Sequence, residues 1–365
     1  MSTGAAGPGP GSGATARSWA LNLAVPLLAA GLAFAGILHA QQDQNDYAQP
    51  RGDCSPTITD DNLGYDGSLA VGPTGDIFVL ETRAGCVIRI DAAGVGHLAV
   101  GGGRRSEACP ACGVRLGRPS EVEVGRDGTV YVLDPSTYRL LAVAPDGTTT
   151  TIAGGPESRS YLRAFTRAPD GRLYVLDFDR VLRLDPSGPQ LVAGGGGGDV
   201  GGGAPATAVR LSDVSAMAAG PDGSLYLVQG RRYRVLRVDP AGMISVLAGT
   251  GVDGERGDGG PATKADIVPA GVAADDAGNV YISVEYGHRI RRVDPTGVIT
   301  NFAGRGSAAY GGNVGDGGPA TLAGFIFPTD LAFHDGNLYV LDESSRPRIR
   351  KIDRSGIITT VAGGD

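Results

Sequence analysis

A chain of 365 residues with 41% hydrophobic content can bury a large core, but 61 glycines and 23 prolines exclude an architecture of long helices, which both residues interrupt. A formal charge of −7 at pH 7 argues against a nucleic-acid partner, because such a surface needs clustered Lys and Arg to displace counterions.

In chain order, residues 1–18 form a Gly/Pro/Ser-rich leader and residues 19–40 an apolar segment. Its run 20–38, ALNLAVPLLAAGLAFAGIL, carries no charge and has the length of a bilayer-spanning helix, about 17 to 25 residues. Arg17 before it orients the amino terminus inward, which makes the leader cytoplasmic, and Trp19 stands where an interfacial aromatic would. A cleaved signal peptide with Leu38, His39 and Ala40 as its site fits the same residues. Either reading places the linker 41–62 and the domain 63–365 outside the cytoplasm, as a membrane-anchored or secreted protein.

Within 63–365 six pairs of an aliphatic and an aromatic residue recur: Ile77-Phe78, Val130-Tyr131, Leu173-Tyr174, Leu225-Tyr226, Val280-Tyr281 and Leu338-Tyr339. Each follows a Gly-containing turn and an earlier apolar strand. In most units an Arg-containing strand, a second turn and a strand closing on Ala-Gly come after it. Four short strands cannot bury both faces of their sheet alone. Six such units stacked radially can, and this predicts an all-β, six-bladed β-propeller of four-stranded antiparallel blades, preceded by one N-terminal hydrophobic helix.

The segments GVAADDAGNVYISVEYGHRIRRVDPTGVITNFAGRG and DLAFHDGNLYVLDESSRPRIRKIDRSGIITTVAGG resemble NHL repeats of the bacterial and teneurin-like kind. The resemblance implies a six-bladed propeller; it implies a fold far more than an activity.

GDGGPAT occurs at Gly257 and again at Gly315, with a worn copy, GGGAPAT, at Gly201. It is expected to lead from the outer strand of one blade to the inner strand of the next, with Thr or Asp capping a short helical turn. As a calcium loop it offers one Asp per copy, Asp258 or Asp316, too few oxygen ligands. One end of the propeller should carry only minimal turns. The long segments 101–117, 154–161, 194–213, 249–268 and 304–327 belong to the other, which is therefore the expected recognition face for a protein or cell-surface ligand.

Aligned inner strands place Ser68, Glu121, Ala164, Ala216, Gly271 and Asp330 at the first channel-facing position. Ala70, Glu123, Thr166, Ala218, Ala273 and Ala332 follow at the second. Glu121, Glu123 and Asp330 are the acidic exceptions in a ring of small neutral residues. They are candidates for ligand binding at the channel mouth, where a divalent cation or a basic group competes with plain solvation. No cofactor is expected beyond such a cation. Amidating-lyase relatives with NHL repeats hold zinc through histidines near the channel, but His39, His97, His288 and His334 fall outside these positions. No nucleophile elbow or phosphate loop is present, so a binding module is the first reading and a metal-assisted lyase or hydrolase the alternative.

Glu81, Asp134, Asp177, Gln229, Glu285 and Asp342 end the second strands, and Arg139, Arg180, Arg234, Arg289 and Arg348 follow, so acid and Arg should pair across each hairpin and satisfy turn amides. Cys86 stands where the other units carry this Arg. A Cys54–Cys86 bridge would then strap the linker to the first blade, and Cys109–Cys112 would pair locally; the two other connectivities of four cysteines stay open. The triplet Arg51-Gly52-Asp53 matches an adhesion signal but is too short to carry weight.

Overall fold

The computed structural model describes Cys54 and residues 67–102, 109–155, 158, 160–308, 314–343 and 347–364. The expected N-terminal helix, the leader, the Arg51-Gly52-Asp53 triplet and all of the linker except Cys54 lie outside the described residues. Among the described residues no helix is long and apolar enough to cross a membrane.

Six sheets follow one another along the chain. Blade 1 comprises β1 (Leu69–Val71), β2 (Ile77–Glu81), β3 (Cys86–Ile90) and β4 (Gly96–Gly101). Blade 2 has β5 (Glu121–Val124), β6 (Val130–Asp134), β7 (Arg139–Val143) and β8 (Thr149–Gly154). Blade 3 has β9 (Leu162–Arg167), β10 (Leu173–Asp177), β11 (Arg180–Asp185) and β12 (Gly188–Gly194). In blade 4 a two-residue strand, β13 (Ala204–Pro205), precedes β14 (Ala216–Ala219), β15 (Leu225–Gln229), β16 (Arg234–Val238) and β17 (Met243–Ala248). Blade 5 holds β18 (Pro269–Ala274), β19 (Val280–Val284), β20 (Arg289–Val293) and β21 (Ile299–Ala303). Blade 6 holds β22 (Phe327–His334), β23 (Asn337–Glu343), β24 (Arg348–Ile352) and β25 (Ile358–Gly363). Every pairing between named strands is antiparallel, as consecutive hairpins require. This is the expected six-bladed propeller.

Second strands are flanked by a neighbouring blade on both faces, so IFVLE, LYLVQ and VYISV are buried along their whole length and read as continuous apolar runs. Between each pair of blades the facing side chains form one core. Leu80, Val87, Val122 and Val132 fill the gap between blades 1 and 2, and Leu69, Val79, Tyr339 and Leu341 that between 6 and 1. Each aliphatic side chain so buried contributes about 1.5–3 kcal/mol.

Blades 1 and 6 are each cut from one contiguous stretch, so among the described residues no strand is shared across the closure of the ring. Among the described residues closure rests on the core just named, on the Leu69 amide to Asp330 Oδ2 at 2.8 Å, on the Ser68 hydroxyl to the same carboxyl, and on the Gly67 amide to Glu343 Oε1 at 3.0 Å.

The repeated GDGGPAT has a role beyond connection. Before entering its blade it runs antiparallel along that blade's outer strand: Gly259 donates to Ile299 O and Ile299 donates back to Gly260 O, while Pro261 bridges Val298. The copy at Gly315 repeats these bonds on Ile358, with Pro319 bridging Ile357. The worn copy does the same as β13 against Met243 and Ile244. Each copy covers an exposed sheet edge and ends the ladder at a proline, which has no amide to offer a further strand. The short 3-10 turns that follow start at Pro261 and Pro319 with no side-chain cap bond, so the expected Thr or Asp cap is replaced by the proline itself.

Asp258 and Asp316 are occupied in this arrangement. Arg291, 0% exposed, donates through Nε and Nη2 to Asp258 Oδ1 at 2.9 and 2.7 Å, and its Nη1 reaches Asp266 O. Arg350 likewise donates to Asp316 Oδ1 at 2.6 Å and to Gly324 O. Blade 4 has Leu236 at the position of this Arg and Gly202 at that of the Asp, so both members are present or both are missing. A buried guanidinium without its acid is costly, which explains the linkage.

Asp258→Ala should therefore destabilise the fold by about 2–4 kcal/mol, whereas the double variant Asp258→Gly/Arg291→Leu, which installs the blade 4 solution, should recover most of the loss. Chemical denaturation of the two variants checks this; a double variant no better than the single would refute the pairing as the reason.

Candidate functional site

The first strands of the six blades surround a central cavity of about 330 Å³. Of the expected channel positions, Ser68, Ala70, Glu121, Glu123, Thr166, Ala218, Ala273, Asp330 and Ala332 line it. Ala164 is fully buried behind the wall instead, and Gly271 sits at a seam where an added Cβ would strike Thr329 O. His334 lines the cavity although the alignment leaves it off the channel: β22 runs on to His334, carrying one histidine to the tight-turn mouth.

Glu121, Glu123 and Asp330 share this cavity, and each already holds backbone of a neighbouring blade. Glu121 Oε2 accepts the Phe165 amide at 2.6 Å, joining blades 2 and 3. Glu123 Oε1 accepts from Thr166 Oγ1 at 3.3 Å and from the Arg167 amide at 3.4 Å across the same seam. Asp330 holds Leu69 across the closure. Ser68 and Ser283, which the sequence does not mark, do equivalent work: Ser68 Oγ accepts the Val122 amide, and Ser283 Oγ accepts from Gly271 and donates to Thr329 O. Inner strands have one edge unpaired by any sheet, and these short polar side chains satisfy it.

The channel wall half-buries the carboxyls and limits their hydration, and this raises all three. Glu121 is pushed well above the ordinary range by burial, with the charges of Asp330 and Glu123 adding to the effect and the Phe165 amide opposing it. Burial raises Glu123 to about 7 and raises Asp330, against hydrogen bonds that favour the ionised form. Their ligand atoms do not all converge within 4.8 Å. Among the described residues, Cys54, Glu81 and Cys86 form the one such group of three, and both of its sulfurs belong to a disulfide.

The structure joins Cys54 to Cys86, with Cα atoms 6.3 Å apart, and Cys109 to Cys112, with Cα atoms 5.4 Å apart. The first bridge lies against Gly102 so closely that any Cβ there would meet Cys54 Sγ, and at φ +69° the backbone also favours glycine.

Acid–Arg pairing across each hairpin holds only in part. Asp342 pairs with Arg348 at 3.4 Å and Gln229 accepts from Arg234 at 2.6 Å, but Arg289 turns to Glu255 and Asp258. The more general partner of the acid is backbone entering its own blade: Asp134 accepts Gly117 and Arg118, Asp177 accepts Tyr161, and Asp342 accepts Ile326 and Phe327. Several incoming amides lie nearer than the guanidinium because the chain crosses over the hairpin to reach the inner strand.

The two ends of the propeller differ in what remains exposed. At the tight-turn end, Asp91, Asp294 and Asp353 each accept amides of their own turn, and Arg89, Arg172, Arg183, Arg237 and Arg354 are ion-paired. At the hairpin end stand Tyr138, Phe178 and Tyr233 with φ of +55°, +55° and +51°. A bulky residue in this left-handed region costs about 1 kcal/mol, and glycine, as at Gly85 in blade 1, would avoid it. Tyr138 and Phe178 are nonetheless 38% and 57% exposed, and Tyr161 packs its ring 5.4 Å from that of Phe178. The signal is visible in hindsight as an aromatic directly before the recurring Arg in Tyr138-Arg139 and Tyr233-Arg234.

Fold and repeat together define a six-bladed β-propeller of NHL-type units. No family model matches the chain. It is similar to Teneurin-4 of Mus musculus, 28% identical over 285 residues, covering 74% of this chain and 9% of that protein. It is also similar to Teneurin-1 of Gallus gallus, 30% identical over 228 residues, covering 55% of this chain and 8% of that protein. The chain thus spans less than a tenth of the length of these curated relatives. Among solved structures it resembles an auxiliary nutrient binding protein from Bacteroides thetaiotaomicron with a TM-score of 0.58 and 17% identity, covering 82% of this chain and 70% of that one, a likeness that shows the fold.

The raised Glu123 gives a pH signature. Its folded value of about 7 lies above the ordinary 4.5, so between these values the folded state binds more protons and stability falls as pH rises. Glu123→Gln keeps an acceptor for Thr166 and removes the charge. Thermal melts should find it more stable than the parent near pH 8 and close to equal near pH 5; an equal difference at both would contradict a neutral Glu123 at low pH.

Proposed function

We propose that this chain is an extracytoplasmic binding module whose partner seats on the hairpin end of the propeller. The observation that carries the reading is the contrast between ends: exposed aromatics held in a strained backbone stand on the hairpin side, while the charged groups of the tight-turn side are largely consumed by their own turns and ion pairs. Rigid scaffolds usually carry recognition on such exposed hairpins and loops. Two disulfides favour an oxidising compartment, and the apolar run 20–38 supplies a route there as anchor or signal. The connections 194–213, 249–268 and 314–327 fold back as edge covers or entrance segments, which concentrates recognition on the hairpin tips.

A second reading keeps Glu121, Glu123 and Asp330 as the site of a cationic group or divalent ion, the setting a metal-assisted lyase or hydrolase would need. Their raised carboxyls favour it, since a bound cation would offset the crowded charge. Their existing bonds to seam amides weigh against it.

Photo-crosslinking separates the two. A benzophenone side chain placed at Tyr138 or Phe178 of the full chain, in the cells that make it, should give a discrete adduct, and one at Asp276 or Pro240 on the opposite end should not. Adducts from the opposite end alone, or from neither end, would refute the proposal, as would loss of the hairpin adduct on Glu121→Gln/Asp330→Asn with the fold intact.

A further inference from the structure

Blades 2 to 4 are consecutive in the ring, and their hairpin ends share one composition. Each carries an aromatic in the left-handed region: Tyr138, Phe178 and Tyr233. Beside them Arg163, Arg180 and Arg231 are exposed and make no ion pair among the described residues. Asp179 is the one exposed carboxylate on these three hairpins, Asp134 and Asp177 being buried. Arg163 owes its aim to a bulge: Leu162 pairs with Asp177 and Ala164 with Leu176, so Arg163 is the extra residue turned out of the ladder. Bulges commonly re-aim a side chain for function. Cations outside any ion pair thus stand on the hairpin ends of neighbouring blades of a chain whose net charge is −7.

We propose that the hairpin end of blades 2 to 4 docks an acidic polypeptide segment that also carries aromatic residues, a step that rests on the binding face assigned above. Charge complementarity sets the sign of the partner: three guanidinium groups outside any ion pair, against the single exposed hairpin carboxylate of Asp179, are matched by two or three acidic side chains in an extended segment. Tyr, Phe and Arg are residue types that dominate the energy of protein–protein contacts, and aromatic partners extend the stack begun by Tyr161 and Phe178. A short segment sits on the patch alone. A long uniform polyanion would run on over the acidic remainder of the chain and be repelled there, which disfavours nucleic acid and polyuronate. The strained backbone also fits: the fold keeps aromatics where glycine would be easier because their side chains are used outside the fold.

The test uses the full chain and four probes: a random copolymer of Glu and Tyr, poly-glutamate, poly(U) and a polyuronate. The copolymer should bind most tightly and weaken as salt rises. The triple variant Arg163→Ser/Arg180→Ser/Arg231→Ser and the double variant Tyr138→Gly/Phe178→Gly should each weaken it by at least about tenfold. The glycine variant should melt no lower than the parent, and Arg172→Ser/Arg237→Ser on the opposite end should leave binding unchanged. No copolymer binding, binding undiminished by either variant, tighter binding of poly(U) or polyuronate, or a glycine variant that loses melting temperature would each overturn the proposal. Hairpin crosslinks without copolymer affinity would remove this proposal and leave the face assignment standing; the absence of both would remove both.

Discussion

The structure depends on closing a ring without a shared strand. Blade 1 and blade 6 meet through the side chains of Leu69, Val79, Tyr339 and Leu341 and through two carboxylate-to-amide bonds, from Leu69 to Asp330 and from Gly67 to Glu343. An open ring would expose one face of each terminal blade, a row of aliphatic side chains that water disfavours. Three other seams repeat this solution with a variation: Ser68 reaches from blade 1 to the Val122 amide, Glu121 from blade 2 to the Phe165 amide, and Ser283 from blade 5 to Thr329 O. The acidic residues of the channel are thus first of all fasteners, and their raised carboxyls are what fastening in a narrow, poorly solvated channel costs.

A propeller has a second liability at its rim, where each outer strand presents an unpaired edge. In blades 4 to 6 the incoming connection lies along that edge and stops at a proline, and in blades 5 and 6 a buried arginine locks it through Asp258 or Asp316. Segments that look like free recognition loops by length are therefore partly committed to the scaffold. Among the described residues, what is left over on the hairpins of blades 2 to 4 is short, aromatic and basic.

The fold was legible because strand period, turn glycine and aliphatic–aromatic pairs recur six times, and a repeat allows each noisy copy to support the others. Channel residues were legible in nearly the same way, since position in an inner strand decides side. Other features were not. Arg291 and Arg350 look like ordinary surface strand residues, because nothing local shows that the chain will return over them. The left-handed backbone of Tyr138 and Phe178 is likewise set by hairpin closure, which overrides what an aromatic prefers. His334 reached the channel because β22 is longer than its counterparts.

The central claim, that carboxylate fasteners between inner strands hold the closing seam and the seam of blades 2 and 3, is tested most directly by native-state amide exchange on the parent and on Asp330→Ala. In the parent the Leu69 amide should exchange only through global unfolding, in step with the buried second strands. In the variant its protection should fall together with that of β1 and β22, while the Phe165 amide, held by Glu121, keeps its own. Free exchange of Leu69 in the parent, or a variant that loses protection uniformly around the ring, would contradict the account.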